Sequence, residues 1–550
     1  MDMKLFSALE KVFADTPLSA LSPVRVCGFQ NETLSFQAAF RADSTPWGRQ
    51  EVSLEIDSPV RDAVSVRLVK SVPVNMACYP GSDENYLFRS PAIAPDLLAP
   101  IRPHTLFARE DAVTCLWIDV DAAKISAPGT YPITLRLLAA DGAVLCHAVQ
   151  EITILPGALP EQTLACTRWM HYDSLAVYYG VPVFSEDFWR ITENFVRRAV
   201  ESGVSMILVP THTPPLDTRV GGERLTVQLV GVALDNGTYS FDMTNLRRFI
   251  ALCRRCGVMY YEVAHLFTQW GAKHAPKIVA NVDGCEKRIF GWDTDASGSE
   301  YRAFLEAYIP ALKAVFEEEG IADFVRWHIS DEPHGPQLPS YKAACAQVSD
   351  LLSGQYVTDA LSSFDFYERG IVPHPIVATD AIEPFLERGV ENLWAYYCCA
   401  QHVDVSNSFI AMPSARTRVI AAQLFKYDIK GLLHWGFNFY QSQYSDYPVD
   451  PFAATDADGW VPAGDPFLVY PGEDGQPLDS LRLMVLTHAM QDLRAMNLLA
   501  ALTSREHVIA VIEEGLEQPL TFSRYPKDSA WLLDLRERIN DEILRAQTDR

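Results

Sequence analysis

The chain has 550 residues, of which 48% are hydrophobic and 21% charged, so it is neither a single small module nor a disordered polymer. Its 46 Lys and Arg face 70 Asp and Glu, a net charge of −24. That excess repels polyanions and makes nucleic acid and anionic membrane surfaces poor partners.

Eleven scattered cysteines, with Cys398 and Cys399 adjacent, form no disulfide framework and point to a reducing compartment. A chain of this length buries a core large enough to need neither disulfides nor metals as staples. The N-terminus carries Asp2, Glu10 and Asp15 and lacks an apolar run of roughly 7–15 residues, so it is not read as a signal peptide. No stretch of about 18 apolar residues suggests a membrane span. The expectation is a cytoplasmic protein.

In chain order, residues 1–20 are expected to form a short helix, with Leu5, Leu9 and Phe13 at helical spacing. The next segment alternates with period two. Val52, Leu54 and Ile56 do so, as do Val64, Val66 and Leu68, and Ile133, Leu135 and Leu137. With residues 33–40, 113–120 and 143–155, about seven antiparallel strands are expected, a β-sandwich. Residues 155–160, Leu-Pro-Gly-Ala-Leu-Pro, read as a linker.

From about residue 163, short apolar strands alternate with amphipathic helices. Strands are expected at 165–172, 205–210, 258–264, 324–330, 355–361, 375–379, 392–397 and 431–437, each followed by a helix. Eight such units predict a (β/α)8 TIM barrel. The expected organisation is an N-terminal β-sandwich over 1–160, a catalytic barrel over 161–502 and a helical C-terminal segment over 503–550.

A barrel carries its active site on the loops after the strands. The residues there include His171, Asp217, Glu262, His265, Trp270, Asp331, Glu332, Asp380, Trp394, Tyr396, Tyr397, His434, Trp435, Asn438 and Tyr440. Carboxylates supply general acid and base, and aromatic faces stack on sugar rings, so the set favours glycoside chemistry. Asp331 and Glu332 are the sharpest point. Adjacent carboxyls raise one another's pKa, and a neutral carboxylic acid beside an ionised partner is what a general acid needs at neutral pH. The plainer reading is a pair of surface acids at the start of the next helix, which Pro333 would suit.

Other signals are weaker. Cys253-Arg-Arg-Cys256 has CxxC spacing but lacks two further zinc ligands. Asp456-Ala-Asp458-Gly459 resembles part of a calcium loop, yet Ala454 takes the first ligand position. His171, His265, His328 and His434 would suit a metal less than a sugar. HExxH, GxSxG, Walker A and GxGxxG motifs are absent. No metal and no cofactor is expected.

His328-Ile-Ser-Asp-Glu-Pro333 also carries a family resemblance. So do Thr213-Pro-Pro-Leu-Asp-Thr218, His265-Leu-Phe-Thr-Gln-Trp-Gly-Ala272, Trp394-Ala-Tyr-Tyr-Cys398 and Leu433-His-Trp-Gly-Phe-Asn-Phe-Tyr440. Over most of 160–500 the chain resembles glycoside hydrolase family 123 and relatives grouped as domain of unknown function 4091. The resemblance implies a retaining exo-β-N-acetylgalactosaminidase in which the sugar's 2-acetamido oxygen attacks its own anomeric carbon. It makes Asp331 the group that orients the acetamido N–H and Glu332 the acid and base. Tyr396 or Tyr397 would hold the acetamido oxygen, and Trp394 and Trp435 would wall the pocket. Asp217, Trp270, His265, His434 and Asn438 complete the expected sugar contacts. A glycosidase for another sugar and a non-catalytic carbohydrate-binding barrel stay open beside it. The expected partner is a short oligosaccharide or glycoside, and the C-terminal helices leave room for a homo-oligomer.

Overall fold

The computed structural model describes residues 1–548. It shows a mixed α/β protein that packs as two compact units. One holds Met1–Gln162, Ser406–Lys426 and the chain from Leu478 onward; the other holds Thr163–Val405 and Tyr427–Pro477.

The first unit contains two larger β-sheets and a two-stranded one that pairs Arg49–Glu51 with Phe107–Arg109. A five-stranded antiparallel sheet runs in the order Asp2–Ser7, Thr33–Arg41, Thr114–Asp121, Val64–Val74, Ala92–Pro100. A four-stranded sheet runs Val26–Phe29, Val144–Leu155, Gly129–Leu138, Ser53–Asp57. Its first pair is parallel and the rest antiparallel. Phe36, Phe40, Leu116 and Ile118 of one sheet share a buried core with Ile133, Leu135 and Ile152 of the other, the alternation expected of stacked sheets.

The expected helix over 1–20 is absent. Asp2–Ser7 is an edge strand paired with Thr33–Arg41, and Leu18–Ala20 forms one 3-10 turn. Met3 and Leu5 enter the shared core while Phe6 turns to a second cluster with Val12. Burial at period two thus overrides the helical spacing of Leu5, Leu9 and Phe13. The helix Leu481–Leu502 packs Leu481 and Met484 against Leu98 and Trp117 of the five-stranded sheet. Arg482 makes a buried bidentate pair with Asp96 at 2.9 Å. Arg536, in the helix Ser529–Thr548, joins Glu32 at 2.6 Å and Asp492 at 2.9 Å.

The second unit is built on eight parallel strands. They are β1 Ala165–Arg168, β2 Met206–Val209, β3 Tyr260–Val263, β4 Val325–Arg326, β5 Asp359–Leu361, β6 Pro375–Ala378, β7 Trp394–Tyr396 and β8 Gly431–His434. Each lies within a predicted strand. The sheet order is β4-β3-β2-β1-β8-β7-β6-β5. Nearly every strand residue is buried, which is why these segments read as apolar runs without alternation. Next to the two edge strands, Trp327 and Val357 form an isolated parallel bridge. Trp327 N–H donates to Tyr356 O at 3.0 Å and Thr358 N–H to Trp327 O at 2.9 Å. The loops after β2 and β3 also build a small four-stranded sheet from Gly231–Asp235, Thr238–Asp242, Ile278–Val282 and Cys285–Phe290. Among the described residues no helix is long and apolar enough to cross a membrane.

Candidate active site

The chain leaves each parallel strand at the same end of the sheet, and side chains from these loops border one cavity of about 900 Å³, open mouth included. Trp169 follows β1 directly. Asp217 comes from the loop after β2, Gln269 and Trp270 from the loop after β3, and Asp331, Glu332 and His334 from the segment after β4. β7 supplies Tyr396 and runs on to Tyr397, Cys398 and Cys399. Trp435 follows β8, and Tyr444 and Trp460 come from the long loop beyond it.

Asp331 and Glu332 are half-buried and border the cavity. Glu332 sits in the left-handed backbone region at φ 41°, as do Asp217 at 45° and Trp270 at 64°. Non-glycine residues there cost of order 1–3 kcal/mol and cluster at functional sites. Burial raises the carboxyl of Asp331 well above the usual range, and the neighbouring Glu332 and Asp217 add to it. Burial also raises Glu332, while a hydrogen bond from Tyr396 pulls it back. Both shifts favour the protonated form of the carboxyl, more strongly at Asp331 than at Glu332. Asp217 is pushed up to about 7 by burial, with Arg224 opposing and Glu332 and Asp465 adding.

The segment leading into the pair is clamped. Asp359 of β5 accepts from Ile329 N–H at 3.0 Å and from the Tyr341 hydroxyl. It also faces His328 Nδ1 at 3.2 Å, while His328 Nε2 lies 2.7 Å from Glu262. Glu262 accepts from Thr167 Oγ1 at 2.7 Å and from Trp169 Nε1 at 2.9 Å. Burial disfavours charge on His328, but the hydrogen bonds to Asp359 and Glu262 outweigh it and bring it to about 10. His328 thus bridges Glu262 and Asp359 and ties the cavity wall at Trp169 to the segment carrying Asp331. His265, His328 and Asp359 also bring ligand atoms within 4.8 Å of one another. The two imidazoles stack at 4.5 Å, and both nitrogens of His328 face carboxylates, so this cluster fits a proton-bound network better than a metal.

Of the expected sugar contacts, Asp217, Trp270, Tyr396, Tyr397 and Trp435 border the cavity. Tyr396 donates to Glu332 Oε1; the Tyr397 hydroxyl accepts from Arg168 at 2.8 Å. Trp435 donates Nε1–H to Asp465 at 2.8 Å. His265, Trp394, His434 and Asn438 are buried elsewhere. Trp394 opens β7 and packs on Gly431, where an added Cβ would meet its ring at 2.0 Å. Asn438 is spent on the backbone of His171, accepting from its N–H at 2.9 Å and donating to its O at 3.1 Å. His434 pairs with Asp465 at 3.1 Å.

Other members were not among the site residues expected from sequence: Trp169, Gln269, Cys398, Cys399, Tyr444, Trp460 and the supporting Asp465, although the sequence marks Cys398 and Cys399 as adjacent thiols and Asp465 as one of the carboxylates of the loop after β8. Trp270 stacks with Trp292 at 6.2 Å and meets Tyr444 edge-on at 5.6 Å, and Trp435 meets Trp460 at 5.8 Å. The mouth is therefore an aromatic collar. Gly436 allows it: a Cβ there would lie 2.5 Å from Asp465 O and 2.6 Å from Pro466 O, so glycine lets the loop holding Asp465 close on β8.

The sequence profile of the glycoside hydrolase 123 catalytic domain matches residues 169–499. Among solved structures, a family 123 glycoside hydrolase from Clostridium perfringens, described for glycolipid glycan hydrolysis, shares the fold at TM-score 0.73 and 14% identity, covering 100% of this chain and 99% of that one. A Lactobacillus rhamnosus β-glucuronidase matches at TM-score 0.32 and 10% identity, covering 87% of this chain and 66% of that one. No curated protein matches the chain.

Proposed function

This chain belongs to the glycoside hydrolase 123 family, and from that premise we propose that it is a retaining exo-acting enzyme releasing terminal β-linked N-acetylgalactosamine. The observation that carries the proposal is the half-buried Asp331–Glu332 pair bordering a cavity walled by Trp and Tyr, a setting that raises both carboxyls. Glu332, neutral, protonates the glycosidic oxygen as the bond to C1 breaks. The 2-acetamido oxygen attacks C1 from the opposite face, and Asp331, raised by burial in the free site but favoured as the anion once the acetamido N–H donates to it, stabilises the positive charge that develops on the oxazoline ring. Glu332, now ionised, takes a proton from the attacking water, and the second inversion restores the β configuration. This is the substrate-assisted exception to the two-carboxylate scheme.

The lining holds Asp217, Asp331 and Glu332 and no Lys or Arg, which favours neutral sugars over sialic or uronic acids. The glycolipid glycans of the Clostridium perfringens relative make a neutral glycan with an apolar aglycone the first substrate class to try, the aromatic collar receiving the leaving group. We read the eight strands as a closed (β/α)8 barrel, supported by the Trp327–Val357 bridge. We also read the protein as cytoplasmic, supported by eleven cysteines without a disulfide.

Asp217 supports a second reading. A third raised carboxyl in the same cavity would serve as nucleophile or base for a sugar lacking the acetamido group. Hydrolysis of aryl β-glycosides of N-acetylgalactosamine, N-acetylglucosamine and galactose separates the two. Turnover of the first alone, lost in Glu332→Gln, is expected. Turnover of the galactoside, lost in Asp217→Asn, would move the nucleophile to Asp217.

A further inference from the structure

Successive side chains of a strand point to opposite faces, so two consecutive residues do not face one cavity while the strand continues. Cys398 and Cys399 both border the catalytic cavity, because the chain leaves the sheet after Tyr396 and turns. Gln401 N–H donates to Cys398 O at 3.1 Å and closes that turn. Gln401 Oε1 accepts from Cys398 N–H at 2.9 Å and from the Cys398 thiol at 3.2 Å, and Gln401 Nε2 donates to Asp380 at 3.1 Å. Neither Cys398 nor Cys399 forms a disulfide, and both are partly accessible.

We propose that Cys398 and Cys399 form a dithiol site for a thiophilic trivalent arsenical, and that its occupation closes the sugar cavity. Two thiols on adjacent residues act as one chelate, since the second As–S bond is intramolecular, and sulfur ligands select soft centres. With an aryl arsenoxide, two As–S bonds form, and both thiol protons leave with the oxide oxygen as water. Arsenic stays trivalent and no oxidant is needed. The neighbouring Cys399 thiol and burial hold the Cys398 thiol protonated, with Glu332 and Asp465 reinforcing this. Alkylation of Cys398, which needs the thiolate, is therefore slow, whereas the arsenical carries the protons away as water.

The labelling stands alone; the inhibition rests on this cavity being where the glycoside is cleaved. The test treats the full-length reduced protein with stoichiometric phenylarsine oxide. Peptide mapping is expected to find one phenylarsenic bridge across residues 398–399. Activity is expected to fall with bridging and to return with 2,3-dimercaptopropanol but not with a monothiol. Cys398→Ser and Cys399→Ser, each measured against its own untreated activity, are expected to be roughly 10²-fold less sensitive or more. A bridge that maps elsewhere overturns the proposal, as does wild-type sensitivity in both serine variants. If a variant is inactive, the mapping alone decides. Bridging at 398–399 with activity intact would uphold the dithiol site, overturn closure of the cavity, and count against the catalytic reading.

Discussion

The phenol of Tyr396 donates a hydrogen bond to Oε1 of Glu332. The bond favours ionised Glu332 and so works against the burial that raises this carboxyl. Asp217, Asp331, His334, Asp380, Cys398 and Asp465 also lie near it. Tyr396→Phe removes a stabiliser of the anion, so the pKa of Glu332 rises. A general acid works while protonated, so the alkaline limb of kcat/KM is expected to move to higher pH. A pH–rate profile in which the limb stays or moves down would contradict the assignment of Glu332 as the acid.

Glu332→Gln keeps the shape of the side chain and removes the proton. It is expected to lower kcat by about 10²–10⁴-fold and to leave the Kd for free N-acetylgalactosamine within roughly tenfold, about 1.4 kcal/mol. Steady-state kinetics and calorimetric titration of the same preparation check both. A large loss of binding with kcat intact would make Glu332 a binding group instead.

His328 is raised to about 10 by its two carboxylate partners, against an ordinary value of 6.5. A histidine raised on folding contributes stability that is fully present below about 6.5 and lost as pH climbs through about 10. His328→Asn removes the cation that Glu262 and Asp359 share, leaving them only their neutral donors, and is expected to cost about 3–5 kcal/mol near pH 6. Urea midpoints for both proteins at pH 6, 8 and 10 should show the gap shrinking upward. A gap constant with pH would show that His328 is neutral in the fold.

Asp465 accepts from Trp435 Nε1 at 2.8 Å and pairs with His434 at 3.1 Å. Asp465→Ala deprives two buried groups of this partner, at about 1–3 kcal/mol each, and loosens the Trp435 wall. KM is expected to rise more than kcat falls. The reverse split would place Asp465 in the chemical step.

Much of this architecture was legible because the parallel strands are buried on both faces and read as short apolar runs between amphipathic helices. Asp331, Glu332, Asp217, Trp270, Tyr396, Tyr397 and Trp435 were legible because strand ends predict cavity positions. Trp169 was passed over because β1 ends at Arg168 rather than at residue 172, a small shift that moves the first loop residue. Tyr444 and Trp460 lie in a long irregular loop, where no periodicity says which side chains turn inward. Trp394, His434 and Asn438 illustrate the opposite limit, since a residue at a strand end is as free to pack into the sheet or bind backbone as to face a ligand. The small four-stranded sheet did carry a signal: Asn236-Gly237 and Asp283-Gly284 have positive φ throughout, the hairpin turn chemistry. The N-terminal strand carried a misleading one, because Leu5, Leu9 and Phe13 match a helix by spacing alone.

The central claim is that the substrate's acetamido group, held by Asp331, is the nucleophile. The most direct measurement is kcat/KM for aryl β-N-acetylgalactosaminides whose acetyl group carries none, one, two or three fluorines. Fluorine withdraws electrons from the amide oxygen, so the rate is expected to fall steadily along the series. A rate that is flat or rises with fluorination would contradict participation and place the nucleophile on the protein, with Asp217 the first carboxyl to test.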